Sequence, residues 1–104
     1  MKLVLRSKRS NYDATCIYED GIFKVCKGSK ISPIHSKFQL ASKVVEARND
    51  KTIVGKNLIT KKDVIFNSSS TSAQFVVAQS VNGNRAWKKE DGTQFKINKK
   101  SKWV

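Results

Sequence analysis

The sequence contains few of the residues from which metal and catalytic centres are usually built. Its 104 residues include one histidine, His35, and two cysteines, Cys16 and Cys26. A structural zinc site takes four ligands, and a disulfide framework takes several paired cysteines. No histidine is placed to activate either thiol. We therefore predict no metal site, no cofactor and no catalytic residue, and hence a protein that is not an enzyme.

Long hydrophobic runs are also missing. No segment approaches the roughly 20 apolar residues that a helix needs to cross a bilayer. The apolar stretch within Met1–Arg6 is too short for a secretory signal. We therefore expect a cytoplasmic protein that does not enter a membrane. The length suffices for one modest hydrophobic core, which predicts a single domain over residues 1–104.

Acidic residues are scarce, and the resulting charge is the strongest compositional signal. Twenty-one lysines and arginines stand against eight acids, which gives a net charge of +13. Such a chain attracts polyanions, and nucleic acid is the expected partner. Arginine occurs only at Arg6, Arg9, Arg48 and Arg85. Because lysine acts as a point charge suited to phosphates, the composition favours backbone binding over base reading. The alternative is a protein-interaction or regulatory module whose basic surface meets an acidic partner.

Asp20-Gly21 is a strong hairpin signal within the segment Ala14–Lys27. A two-residue loop there places Tyr18 opposite Phe23 and Cys16 opposite Val25 on one face, with Thr15, Ile17, Lys24 and Cys26 on the other. The two cysteines then point to opposite faces and cannot form a disulfide.

Other segments predict the rest of the fold. Lys2–Ser7 alternates as an edge strand, short β-branched segments follow at 52–54, 58–59 and 64–66, and 94–97 alternates with Phe95 and Ile97 inward. A helix that starts as early as Ser32-Pro33 is predicted to end near Asn49-Asp50, because two overlapping apolar series have helical spacing: Phe38, Ala41, Val45 and Leu40, Val44, Ala47. The predicted fold class is α+β, a small, mostly antiparallel sheet with an N-terminal hairpin and two helices packed on it.

The stretch from Phe66 to Trp87 predicts a complete capped helix over residues 69–80. Ser68 is the expected N-cap, and Asn82-Gly83 is the expected stop because both residues tolerate a left-handed backbone. Trp87 is expected to fold back over the end of the helix. The predicted core stripe is Ala73, Val76, Val77 and Ser80.

The same stretch carries a family resemblance. Phe66, Ser68, Ser70, Ala73, Asn82, Gly83 and Trp87 match a pattern of the form F-x-S-P-S-A-A-A followed by N-G-x-x-x-W. Upstream, residues 21–29 (GIFKVCKGS) match G-x-F-x-V-x-K-G-S. This pattern resembles a domain of unknown function often found at the C-terminus of GIY-YIG nuclease-type proteins, which is similar to the RAMA (restriction enzyme adenine methylase associated) module. The resemblance implies an accessory module that binds DNA, including modified DNA, beside a nuclease or methylase partner.

The predicted nucleic-acid site combines the helix start with the basic turn that follows the helix. Unpaired N–H groups at a helix start attract phosphate. A second phosphate candidate, the turn Lys27–Lys30, lacks the spacing of a nucleotide-hydrolysing loop, and a plain turn is the favoured interpretation. The predicted nucleic-acid-binding residues, with DNA favoured over RNA, are Ser68, Ser70, Asn82, Asn84, Arg85, Lys88 and Lys89.

Overall fold

The computed structural model describes residues 1–33, 40–79, 81 and 83–95, with the backbone alone for residue 84. The strands are β1 (Lys2–Ser7), β2 (Tyr12–Glu19), β3 (Ile22–Val25), β4 (Val64–Phe66) and β5 (Lys88–Lys89). The helices are α1 (Ser42–Asn49), α2 (Ser69–Val77) and the short α3 (Gly83–Ala86). The strands form one antiparallel sheet in the order β4-β3-β2-β1-β5. The predicted α+β class is confirmed.

The β2–β3 hairpin turns at Asp20-Gly21, as predicted. Both residues have left-handed backbone angles, with φ of 50° and 80°, which a two-residue hairpin loop of this type requires. The register pairs Tyr18 with Phe23 and Cys16 with Val25. The turn residues therefore determine which side chains face the core.

The core lies on one face of the sheet, which we call the helix face. Alternate strand residues on this face are buried, and they join side chains of α1 and α2 in one hydrophobic cluster. α2 packs against β2, β3 and β4, and α1 and α3 pack against α2. The helix-face strand residues of this cluster are Leu3, Leu5, Ala14, Cys16, Phe23, Val25, Val64 and Phe66.

The main helix, α2, begins as predicted but ends earlier. The Ser68 hydroxyl accepts a hydrogen bond from the Thr71 amide at 3.0 Å, so Ser68 is the N-cap. The helix stops at Val77, because Ala78 takes left-handed angles (φ 61°, ψ 30°). The predicted stop at Asn82-Gly83 is therefore wrong. Tertiary contacts explain the early end, since the carbonyl of Val76 accepts from the Ser32 amide at 2.7 Å rather than from a further helical turn.

Gly83 and Trp87 pack against the first half of α2 rather than its end. The Trp87 indole is fully buried, and its Nε1 donates to the Ser72 hydroxyl at 3.0 Å. A Cβ on Gly83 would collide with the backbone of Ser69 and Ser70. The expectation that Trp87 covers the C-terminal end of the helix is therefore wrong. The predicted core residues Ala73, Val76 and Val77 are buried, whereas Ser80 lies outside the described residues.

α1 shows which of the two predicted apolar series faces the core. Val44 and Ala47 are buried, whereas Val45 is 38% exposed. The helix ends at Asn49, as expected, and begins at Ser42 with Ala41 as N-cap. Ser32, Pro33, Leu40 and Ala41 are not helical, so a continuous helix from Ser32-Pro33 is wrong, and Phe38 lies outside the described residues.

The remaining segments follow the predictions in part. β4 is a strand, whereas residues 54 and 60 form only an isolated bridge. Phe95 is buried, and Ile97 lies outside the described residues. β1 is not the edge strand that we expected, because β5 pairs with it at Leu3 and Val4.

Candidate nucleic-acid interface

The predicted helix-start part of the site is more enclosed than its sequence indicates. Ser68 and Ser70 are half-buried, and Ser69 and Ser72 are buried. The Ser70 hydroxyl accepts from the Gly83 amide at 3.4 Å. Because α3 packs directly over this turn, the helix start is only partly accessible to a phosphate. Serine capping accounts for the Ser68 contacts without a ligand.

The basic part of the predicted site is solvent-exposed. Arg85 lies in the last turn of α3, and Lys88 and Lys89 form β5. Lys88 pairs with Val4 and Lys89 with Leu3, so the two lysines point to opposite faces of the sheet. Lys88 and Lys89 are thus neighbours in sequence, but their side chains lie on two different surfaces of the sheet. Asn82 and the side chain of Asn84 lie outside the described residues.

The face of the sheet opposite α2, which we call the open face, gathers a larger set of cations. In β2, β3 and β4 these residues alternate with the buried ones, whereas in β1 Val4 of this face is itself buried between Leu3 and Leu5. Val4, Thr15 and Ile17 are strand residues of this face, and none of them belongs to the hydrophobic cluster. No helix of the described chain packs on this face, since α2 occupies the other one. Its cations are Lys2, Arg6, Lys24, Lys30 and Lys88.

The register arranges these cations in rows that cross the strands. One row runs Lys2, Ile17, Lys24, Ile65 across four strands. A second row runs Arg6, Asp13, Lys30, where Asp13 and Lys30 exchange both backbone hydrogen bonds, at 2.9 and 2.8 Å. Directly opposed residues on one face have Cβ atoms about 5 Å apart. The cations are therefore spaced across a continuous surface rather than clustered in one loop.

Carboxylates oppose this charge only in part. The strand residues of the open face include two acids, Asp13 and Glu19. Asp13 accepts from Arg6 Nε at 2.9 Å, and Lys2 lies 3.7 Å from Glu90 in the turn after β5. Both pairs are exposed, so each contributes little to stability. The face keeps a net positive charge, with Lys24, Lys30 and Lys88 forming no ion pair in the described part of the chain.

A cleft lies where the open face meets the β1–β2 turn. Its volume is about 180 Å³. Arg6, Lys8 and Lys30 supply positive charge, and Tyr12 is the one aromatic wall residue; the other lining residues are Ser7, Asn11 and Asp13.

The turn Lys27–Lys30 is a structural turn, as the favoured interpretation held. The Lys27 amide donates to Asp63 Oδ1 at 2.8 Å, and the Gly28 amide donates to the Thr60 carbonyl at 2.9 Å. The Ser29 amide donates to Thr60 Oγ1 at 3.0 Å. Three successive N–H groups are thus used within the fold and leave none for a phosphate.

The cysteines are unpaired, with Cys16 buried and Cys26 half-buried. Burial raises the pKa of Cys16 to about 12, with a smaller contribution from the charge of Cys26. Burial, and next the carboxylate of Asp63, raises the pKa of Cys26. Raised pKa values oppose the thiolate form that a nucleophile requires.

Within the described ranges no group of three or more histidine, cysteine or acidic residues could hold a metal ion. In the same residues no helix has the length and apolar character to cross a membrane.

Residues 4–98 match the family model described as Domain of unknown function (DUF4357). The chain belongs to this family. The matched range of this DUF4357 domain contains both of the motifs in residues 21–29 and 66–87, which confirms an uncharacterised domain family. No curated protein and no solved structure matches the chain.

Sequence reasoning on the DUF4357 domain missed four of the five open-face cations. It selected Lys88, but not Lys2, Arg6, Lys24 or Lys30. A signal for Lys24 was present, because the Asp20-Gly21 register already placed it beside Ile17 on the face opposite Cys16. The inward positions of Leu3 and Leu5 likewise imply that Lys2 and Arg6 face the other way.

Proposed function

We propose that this DUF4357 domain is a non-catalytic nucleic-acid-binding module that contacts the phosphate backbone through the open face of its sheet. The observation that carries the proposal is the set of five cations, Lys2, Arg6, Lys24, Lys30 and Lys88, spread over one face that the described helices leave uncovered. Lysines dominate the set, and lysine contacts phosphates without reading bases. Sequence-independent binding is therefore expected.

DNA is favoured over RNA, and a nuclease or methylase is the proposed partner protein. The support is the motif resemblance in residues 66–87 to domains found beside GIY-YIG nucleases and to the RAMA module. In that setting the module holds DNA near an enzyme that supplies the chemistry. Because of this resemblance, the proposed ligands include modified DNA, in particular adenine-methylated DNA.

A fluorescence titration at 50 mM salt tests the proposal with single-stranded DNA, duplex DNA, adenine-methylated duplex DNA and RNA. Non-specific binding at physiological salt has a Kd of roughly 10⁻⁶ to 10⁻⁴ M, and binding at 50 mM salt should be tighter than this. The double variant Lys24→Met, Lys88→Met should weaken binding, whereas Lys43→Met on α1, on the helix side of the sheet, should not. Absence of binding below millimolar by every ligand would refute the proposal. Equal loss in Lys43→Met would place the interface elsewhere.

A second candidate function is binding of an acidic protein partner on the same face. Ile22 and Ile65 lie beside Lys24 on the open face, Ile22 two residues away in β3 and Ile65 opposite it in β4, and they are 38% and 48% exposed. A phosphate backbone makes no favourable contact with these apolar side chains, whereas protein interfaces bury apolar residues at their centre. Ile65→Ser should leave nucleic-acid affinity unchanged, and loss of a co-purifying protein in this variant would favour the second candidate.

A further inference from the structure

We propose that the cleft at the β1–β2 turn is a phosphate-binding site for one phosphate group of the bound nucleic acid. This inference rests on the proposed function and names the point on the open face where binding is tightest. Arg6 and Lys30 belong to both the cleft and the open face. A nucleic-acid strand that crosses the open face along the row Arg6, Asp13, Lys30 therefore reaches the cleft.

Size limits what the cleft can hold. Its volume is about 180 Å³. Pockets for drug-sized ligands and cofactors start at about 300 Å³. The cleft therefore suits a group of a few heavy atoms, such as a phosphate, rather than a complete nucleotide cofactor.

The charges in the cleft suit an anion. Three cations, Arg6, Lys8 and Lys30, face one carboxylate, Asp13. Asp13 Oδ1 accepts from Arg6 Nε at 2.9 Å, which fixes one edge of the guanidinium. The Nη groups of Arg6 have no hydrogen-bond partner among the described residues, and they supply the donors that a phosphate can accept. Asp13 thus acts as a positioning residue for Arg6.

Lys30 is the least exposed of the three cations. Its amide and carbonyl both bond to Asp13, at 2.8 and 2.9 Å, so its Cα is held by the sheet. Its side chain is half-buried, whereas Lys8 lies exposed in the turn. A partly buried side chain has fewer accessible conformations than an exposed one and so loses less conformational entropy when it binds a phosphate. Lys30 should therefore contribute more to affinity than a free surface lysine.

Paired substitutions separate the cleft from the rest of the open face. Lys30→Met removes the charge and keeps the stem, and Lys24→Met does the same to a half-buried lysine outside the cleft. On duplex and single-stranded DNA we expect Lys30→Met to lose about tenfold or more in affinity and Lys24→Met about threefold or less. A tenfold loss corresponds to 1.4 kcal/mol. Unchanged thermal midpoints in both variants show that the fold is retained.

Two further arms identify the source of the phosphate. Oligonucleotides with a 5′-phosphate and a 5′-hydroxyl are compared on the parent and on Lys30→Met. Tighter binding of the 5′-phosphate form by the parent alone assigns a terminal phosphate, and equal binding of both forms assigns a backbone phosphodiester. Inorganic phosphate at fixed ionic strength should compete with DNA for the parent more than for Lys30→Met.

Different experimental results would contradict the cleft proposal and the proposed nucleic-acid-binding function. If the parent binds nucleic acid and Lys30→Met loses no more affinity than Lys24→Met, the cleft is not a site and the open face acts only as a diffuse surface. If the parent binds no nucleic acid at 50 mM salt, the proposed function fails first. Equal competition by inorganic phosphate in both proteins also overturns the cleft.

Discussion

At the residue scale, Cys16 shows how one buried thiol couples stability to pH. Cys16 is fully buried on the helix face of β2. Burial, with a smaller contribution from Cys26, raises its pKa from 9.0 to about 12. The folded protein therefore keeps the proton over a range of pH in which the unfolded chain releases it.

The sign of the resulting pH dependence follows from linkage. Between about pH 9 and 12 the native state binds more protons at Cys16 than the unfolded state does, so stability falls as pH rises. The slope approaches 1.4 kcal/mol per pH unit for one proton. Urea unfolding at pH 8, 9, 10 and 11 should show this fall in a Cys26→Ala background. Cys16→Ala in the same background should show a flatter profile. Parallel profiles would mean that Cys16 is accessible to water.

Arg48 illustrates a residue that sequence patterns could not place. At the end of an amphipathic helix an arginine is expected in solvent, yet Arg48 is 8% exposed. Its guanidinium donates to the carbonyls of Ser32 at 2.8 Å and Val76 at 3.3 Å, and burial lowers its pKa to about 10. It thereby satisfies a carbonyl in the last turn of α2. Such burial depends on tertiary neighbours that no local pattern contains.

At the element scale, the contact between α2 and α3 is set by Gly83. A Cβ at this position would lie within 3.0 Å of the carbonyl carbon and oxygen of Ser69 and of the amide nitrogen of Ser70. These are backbone atoms in the first turn of α2, so they cannot move aside as a flexible side chain could. The close approach of the two helices therefore requires glycine.

Gly83→Ala should therefore destabilise the fold. Alanine favours helix over glycine by up to about 1 kcal/mol, but overpacking against backbone costs about 1–3 kcal/mol. With a mid-range to high overpacking cost, these figures leave a net loss of roughly 1–2 kcal/mol in the free energy of unfolding, measured by denaturant titration. Arg85→Ala, an exposed change in the same helix, should stay within about 0.5 kcal/mol of the parent. If Gly83→Ala unfolds like Arg85→Ala, the two helices do not pack as closely as described.

The elements also show where sequence reasoning succeeds. The Asp20-Gly21 hairpin and the Ser68 cap were predictable because turn and cap chemistry act over two or three residues. The end of α2 was not, because Ser32 and Arg48 reach the Val76 carbonyl from distant parts of the chain. The candidate site follows the same rule. The face of Lys24 follows from its own hairpin, whereas the alignment of Lys30 with Arg6 through Asp13 depends on a bridge between segments far apart in sequence.

At the scale of the whole molecule, a high net charge has to be distinguished from a defined binding surface. The chain carries a net charge of +13, which attracts polyanions to every face. The open face holds five of the 21 lysines and arginines, and Lys43 on α1 is one of those that lie elsewhere. The salt dependence of binding, compared between a substitution on the open face and one elsewhere, therefore distinguishes a defined interface from general attraction.

The salt dependence of binding measures this distinction. Each phosphate-neutralising cation contributes about −0.9 to the slope of log affinity against log salt concentration on duplex DNA. A site with about four contacts should lose roughly two orders of magnitude in affinity between 50 and 200 mM salt. Lys24→Met should make the slope shallower by about 0.9, because one contact is lost. Lys43→Met should leave the slope unchanged, although it removes the same charge from the molecule. If both substitutions change the slope equally, net charge rather than the open face attracts the DNA. An unchanged slope in Lys24→Met alone would remove that residue from the interface.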